Sequence, residues 1–216
     1  LKDEMVGLGI PADRIVPLRN GVDLDMFRPQ DREALRRKYG LDGPTLISVG
    51  HLIERKAHDL VIAALPHLPE FRLLIAGEGP EEQALRSLAA RLHVAGRVTF
   101  LGRRPHEELP GLYGASDVLV LASSREGWAN VLLEAMACGT PVVASNVWGT
   151  PEVVAAPEAG RLMRERSGAA IAESVRDLFA ALPARAATRA YAEGFSWEAT
   201  TRGQLDLFRG ILEKRR

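Results

Sequence analysis

The sequence predicts an α/β fold, a Rossmann-like parallel sheet with helices on both faces, and three observations lead there. From residue 46 onward, short apolar runs alternate with segments of helical period, the rhythm of repeated βα units. The runs are continuously apolar, as strands are when both faces of a sheet are covered. Glycines follow the runs (Gly50, Gly77 with Gly79, Gly102 and Gly127), and a parallel sheet gathers such loops on one edge, where open α/β proteins bind ligands. In order, strands are expected at 46–49, 73–76, 98–101, 118–121 and 142–144. Leu60, Ala63 and Ala64 recur at helical spacing in the first crossover, and Leu85, Leu88, Ala89 and Leu92 in the second, giving each an apolar stripe for the sheet. The crossovers should be right-handed. Helices at 169–182 and 197–214 close the chain, the second opened by Ser196 as N-cap with Glu198 in its first turn.

The first forty residues read differently: a short helix, a strand at 14–16, a turn at Asn20-Gly21, and a helix from Asp31 that stops at Gly40. Three parts are expected: a linker and the end of an upstream domain (1–40), a single ligand-binding domain (41–195), and a C-terminal helix (196–216). Because the chain opens on Leu1 inside an amphipathic segment, an upstream continuation is expected. With 216 residues and 46% hydrophobic content there is material for one substantial core, and two would be a squeeze. The 28 Lys and Arg balance 28 Asp and Glu, so no long-range field recruits nucleic acid or anionic lipid, and any anion site has to be local. The closing Lys214-Arg215-Arg216 suits the negative end of a helix dipole. Cys138, the lone cysteine, forms no internal disulfide and reads as a small buried hydrophobe in a reducing compartment. No apolar run approaches the roughly 18 residues of a membrane span, and the start has no signal-peptide pattern. A soluble protein is expected.

The chemistry concentrates in the loops. Arg55-Lys56, after the first strand and just before a helix, would suit a diphosphate: Arg makes paired bonds and Lys acts as a point charge beside helix N–H groups. Alone, the pair reads first as a solvated basic loop, since surface loops commonly carry such pairs. In residues 126–134, Glu126 lies in the loop off the fourth strand, Glu134 about one turn into the next helix, and the helix N-terminus between them. Free N–H groups there suit a phosphate, and a carboxylate on either side accepts hydroxyls from a diol, the layout of a nucleoside-diphosphate sugar. In isolation, two glutamates eight apart are ordinary surface charges. His58, His67, His93 and His106 read as surface or helix-end residues without a catalytic role, and no His/Cys/Asp cluster has metal-ligand spacing.

The string from Glu126 to Glu134, its continuation Ala135-Met136-Ala137-Cys138-Gly139-Thr140-Pro141-Val142-Val143-Ala144, Gly149-Thr150-Pro151-Glu152, Asn20-Gly21-Val22-Asp23, Arg55-Lys56 and the Gly77 to Pro80 loop together resemble family 4 of the retaining GT-B glycosyltransferases, the group 1 transferases. The resemblance spans nearly the whole chain. In that family two Rossmann-like domains face each other; the C-terminal one grips the nucleotide-sugar and the N-terminal one supplies most of the acceptor site. This chain is similar to the C-terminal domain plus the linker carrying Asn20 to Asp23. The resemblance implies transfer of a sugar from a nucleoside-diphosphate sugar, with UDP or GDP as the nucleotide, with retention and without metal or cofactor. Glycan, lipid or small-molecule acceptors would bind through the absent domain, which would also make any peripheral membrane contact. The location implied is cytoplasmic, where nucleotide-sugars are made.

By the same resemblance Glu134 binds the ribose hydroxyls, Glu126 the donor-sugar hydroxyls, and Arg55 and Lys56 neutralise the diphosphate as it leaves. Gly127, Trp128 and the backbone at Asn130, Val131 and Leu132 line the donor, and Gly102 and Arg103 flank the base. The sequence departs from the family pattern at His51, where an Arg is usual after the first-strand glycine, at Ala57, where a Gly is usual, and at Trp128-Ala129. These changes bear on sugar specificity more than on fold. A dehydrogenase is disfavoured because no G-x-G-x-x-G follows the first strand. The alternatives of another class are an epimerase of related architecture and a nucleotide-sugar-binding module without catalysis, which describes the behaviour expected of this half alone.

Overall fold

The computed structural model describes residues 2–213. Its centre is a six-stranded, wholly parallel sheet: β1 (Thr45–Val49), β2 (Arg72–Ala76), β3 (Val98–Gly102), β4 (Val118–Leu121), β5 (Val142–Ser145) and β6 (Gly160–Met163), in the order β3-β2-β1-β4-β5-β6. The five expected strands are present to within a residue or two, and β6 is an addition. It is a short edge strand whose Arg161 breaks the apolar run. Gly160, at φ 138°, presses on the carbonyl of Val142, where any Cβ would overlap the backbone.

Ten α-helices accompany the sheet among the described residues: α1 (Lys2–Gly7), α2 (Arg32–Tyr39), α3 (His58–Ala64), α4 (Glu82–Arg91), α5 (Leu109–Ala115), α6 (Asn130–Ala137), α7 (Thr150–Val153), α8 (Gly168–Ala180), α9 (Arg185–Glu193) and α10 (Trp197–Glu213). Two hydrophobic cores lie on opposite faces of the sheet. One takes Ile47, Leu119 and Val142 against α5, α6 and α9, and the other takes Leu46, Val118 and Val143 against α3, α4 and α8. The alternate residues of β1, β4 and β5 thus serve opposite cores, which is why their runs are continuously apolar.

The α3 stripe is rotated from the expected one. Val61, Ile62 and Ala64 are buried, while Leu60 and Ala63 are half-covered. Ala63 instead meets α8 at Gly168, where a Cβ would crowd its backbone. In α4, Leu85 and Ala89 are buried, and Leu88 and Leu92 pack at the margin.

The helix read from Asp31 to Gly40 is α2, capped by the Asp31 side chain on the Ala34 N–H and closed by Gly40 in the left-handed region. It packs on α5, with Leu35 and Tyr39 against Gly111 and Gly114. The segment 14–16 pairs with no strand: Ala12–Arg14 is a 3-10 turn followed by extended chain. Asn20-Gly21 is not a turn either. Gly21 lets the chain run against the backbone of Ser196 and Trp197, and Val22 bridges Ser196. Lys214-Arg215-Arg216 lie outside the described residues.

Candidate functional site

Strand order reverses between β1 and β4, and the loops leaving those two strands diverge to opposite faces. Such a topological switch point opens a crevice at the C-terminal edge of an α/β sheet. The β1 loop runs from Gly50 through Arg55 and Lys56, and the β4 loop runs through Glu126 to α6. Their side chains meet across the crevice. Lys56 Nζ donates to Glu126 Oε1 at 2.5 Å, and Arg55 Nη1 stands 4.0 Å from Glu126 Oε2 while donating to the Arg125 carbonyl at 3.0 Å. The Glu126 side chain is 9% exposed and that of Lys56 16%, so the pair is shielded from solvent and salt.

Close backbone contacts hold these loops. A Cβ on Gly77 would overlap the Gly50 carbonyl, and one on Gly79 would crowd the Leu52 backbone, so the glycines after β2 let its loop pack on that of β1. Ala57 occupies a left-handed conformation (φ 51°), the physical reason a glycine suits that position. On the other side, Gly149 presses on the Gly127 carbonyl, and its N–H donates to the Glu126 carbonyl at 3.4 Å.

Glu134 lies one turn into α6, buried beneath the same edge. The hydroxyl of fully buried Tyr113 donates to its Oε2 at 2.9 Å, and His106 Nε2 stands 3.2 Å from its Oε1. Both carboxylate oxygens are therefore positioned by the protein. Burial first, then the Glu134 carboxylate, push the Tyr113 hydroxyl well above its ordinary value, so it stays protonated as a donor. His106 packs edge-on against Phe27, ring centroids 5.0 Å apart, which ties the 102–108 loop to the 20–27 segment. Asn20 Nδ2 donates to Asn130 Oδ1 at 3.3 Å, bringing the same segment to the start of α6. Ala129, at the α6 N-cap, offers no side-chain acceptor to the first-turn N–H groups.

The structure thus assembles Arg55, Lys56, Glu126, Gly127, Trp128, Asn130, Val131, Leu132 and Glu134 on one edge. Leu132 is fully buried, so its place on this edge is one of position in the α6 first turn and not of exposed surface. His51 sits exposed in the β1 loop, its carbonyl accepting from the Ile53 N–H at 2.9 Å. Gly102 ends β3 with φ 68°, and the adjacent Arg103 is exposed, 3.6 Å from Glu78.

His106 is an exposed residue at the start of a 3-10 turn, as expected, and its ring also reaches Glu134. One histidine differs from the expectation. His58 is an interior residue, 3% exposed at the start of α3, with Nδ1 2.9 Å from Ser48 Oγ on β1. Burial, aided by nearby Lys56, lowers its pKa to about 4, so the ring is neutral. Tyr113 also escaped the sequence reading. The available signal was a tyrosine in the middle of an otherwise apolar helix, where a buried hydroxyl has to find an acceptor.

A family model described as "Glycosyl transferases group 1" matches residues 31–195. The chain belongs to this family. Among curated relatives it is 38% identical over 211 residues to a D-inositol 3-phosphate glycosyltransferase of Mycobacteroides abscessus, covering 88% of this chain and 47% of that protein. A D-inositol 3-phosphate glycosyltransferase of Mycobacterium leprae is 39% identical over 203 residues, with the same coverage. The chain spans about half the length of the curated relatives it matches. Sucrose-phosphate synthase from Thermosynechococcus elongatus superposes with a TM-score of 0.84 at 28% identity over 99% of this chain and 57% of that one. Anabaena Alr3699/HepE, solved in complex with UDP, gives 0.89 at 23% identity over 97% of this chain and 61% of that one, a likeness of fold. No helix among the described residues is long and apolar enough to cross a membrane.

Proposed function

We propose that this chain is the donor-binding domain of a glycosyltransferase that moves a sugar from a nucleoside-diphosphate sugar to an acceptor with retention of anomeric configuration and without a metal. The observation that carries the reading is the meeting, at the β1/β4 switch point, of two cations and a buried carboxylate, with a second buried carboxylate one turn into α6. Lys56 and Arg55 neutralise the diphosphate and stabilise the charge that grows on it as the sugar–phosphate bond breaks. Protein cations thus fill the place a divalent ion would otherwise take.

Glu126, held by Lys56, accepts donor-sugar hydroxyls. Glu134, oriented by Tyr113 and His106, accepts the ribose hydroxyls. The first-turn N–H groups of α6 contact phosphate, and Gly102, Arg103 and His51 border the nucleotide. No other cofactor takes part. UDP is the favoured nucleotide, because a structural neighbour carries it. The acceptor (glycan, lipid or small molecule) and any peripheral membrane contact belong to the remainder of a longer cytoplasmic protein, which also closes the cleft against water.

The test is NMR of the products when this chain is joined to the N-terminal half of a relative and supplied with donor and acceptor, with and without EDTA. The expected result is transfer with the donor's anomeric configuration kept and a rate unchanged by chelation. Inverted product or loss of activity in EDTA refutes that part of the reading. Saturable donor binding with no transfer supports the non-catalytic binding module.

A further inference from the structure

Trp148 bears two energetic penalties. It is a non-glycine residue in the left-handed region, φ 45°, which L side chains with a Cβ rarely adopt. The residue is also 55% exposed, on the loop between β5 and α7, so apolar surface is left in water. Strained backbone and exposed aromatic surface at one residue cluster where a ligand is held.

The surroundings of Trp148 identify the ligand class. The next residue, Gly149, presses on Gly127 and donates its N–H to the Glu126 carbonyl at 3.4 Å. The Arg125 guanidinium lies 5.7 Å from the Trp148 ring centroid, while the Arg125 carbonyl accepts from Arg55. Trp148 is thereby fastened on both sides to the 125–127 turn that presents Glu126. A broad, flat apolar face on a loop that abuts the Glu126 backbone is complementary to a pyranose, which offers C–H groups on its faces and hydroxyls at its rim.

We infer that Trp148 is a specificity-determining residue, the stacking platform for the pyranose ring of the donor. This rests on the reading of Glu126 as the acceptor of donor-sugar hydroxyls. It implies that Trp148 adds affinity for the sugar and none for the nucleotide.

The experiment is calorimetric titration of the chain and its Trp148→Gly and Trp148→Phe variants with UDP and UDP-glucose, and with the GDP and ADP counterparts. Trp148→Gly removes the platform and relieves the backbone, so its Tm should match or exceed that of the parent and misfolding does not confuse the result. The expected outcome is an unchanged Kd for the nucleoside diphosphate within about twofold. The gain from the attached glucose should fall at least about fivefold in Trp148→Gly and be largely kept in Trp148→Phe. Equal weakening of nucleotide and nucleotide-sugar, no change in either, or a parent chain that gains nothing from the sugar overturns the inference while leaving the nucleotide site standing. Failure of the parent chain to bind any nucleotide overturns the donor-site reading and the Trp148 assignment together. If the ring contacted is the acceptor's, glucose on the donor changes nothing, and the inference is refuted in favour of an acceptor platform.

Discussion

Lys56 and Glu126 form a charge pair whose members should be far more costly to remove singly than together. The ammonium and carboxylate are 2.5 Å apart, with side chains only 16% and 9% exposed. Replacing Lys56 with Met leaves the Glu126 carboxylate shielded from water, and breaking a buried pair costs about 3–5 kcal/mol. Arg55, at 4.0 Å and 42% exposed, recovers a part, which places the expected loss near the lower end, about 3 kcal/mol. With an m value of about 2–3 kcal/mol/M, the urea midpoint should fall by about 1 M. The double variant Lys56→Met/Glu126→Leu buries no lone charge and should recover most of the loss, giving a coupling energy of about 2 kcal/mol in the cycle completed by Glu126→Leu. Fluorescence-detected urea unfolding measures all four proteins. A Lys56→Met midpoint within about 0.2 M of the parent, or losses that simply add, contradicts the buried pair.

Tyr113→Phe removes the donor that orients Glu134 and should weaken UDP binding about five- to tenfold while shrinking the preference for UDP over its 2′,3′-dideoxy analogue; calorimetry with both ligands checks this. A uniform loss for both ligands contradicts the positioning role. His58, with a folded pKa of about 4 against 6.5 when unfolded, takes up its proton in the unfolded chain first. Its contribution to stability is therefore intact above pH 6.5 and declines toward pH 4, by up to about 1.4 kcal/mol per pH unit. Unfolding of His58→Gln across this range should show a correspondingly flatter profile. Burial pushes the Cys138 thiol up to about 12, so a thiol reagent such as DTNB should react at pH 8 only as fast as the chain unfolds; rapid labelling of the native protein contradicts this.

Five strands and the charged edge were legible in the sequence because their determinants are local: apolar runs covered on both faces, glycines at strand ends, and a helix start between two glutamates. β6 was not, since four residues including an arginine carry no strand signal of their own and pair only because Gly160 can approach Val142. Gly21 illustrates the converse. Asn-Gly is a strong turn signal, yet this glycine serves a close approach to Trp197, a contact 176 residues away in the chain that local chemistry cannot reveal. The Tyr113–Glu134–His106 arrangement joins the continuous helical run 106–115 to α6 across β4, so only the fold brings the ring and the hydroxyl to one carboxylate. His58 looked like a surface residue because a histidine at a helix start is usually solvated; the Ser48 hydroxyl on β1 provides the partner that lets it be buried.

In the proposed reading the β1/β4 crevice binds a nucleoside diphosphate through Lys56 and Glu134. The most direct measurement is calorimetric titration of the chain with UDP, GDP and ADP, repeated with the best ligand on Lys56→Ala and Glu134→Ala, each variant first shown to be folded by circular dichroism. Saturable 1:1 binding of one nucleotide, UDP foremost, is expected, weakened in both variants by about 1–3 kcal/mol, or roughly 5- to 150-fold in Kd. Binding that survives both substitutions unchanged, or a folded parent chain that binds none of the three, contradicts it.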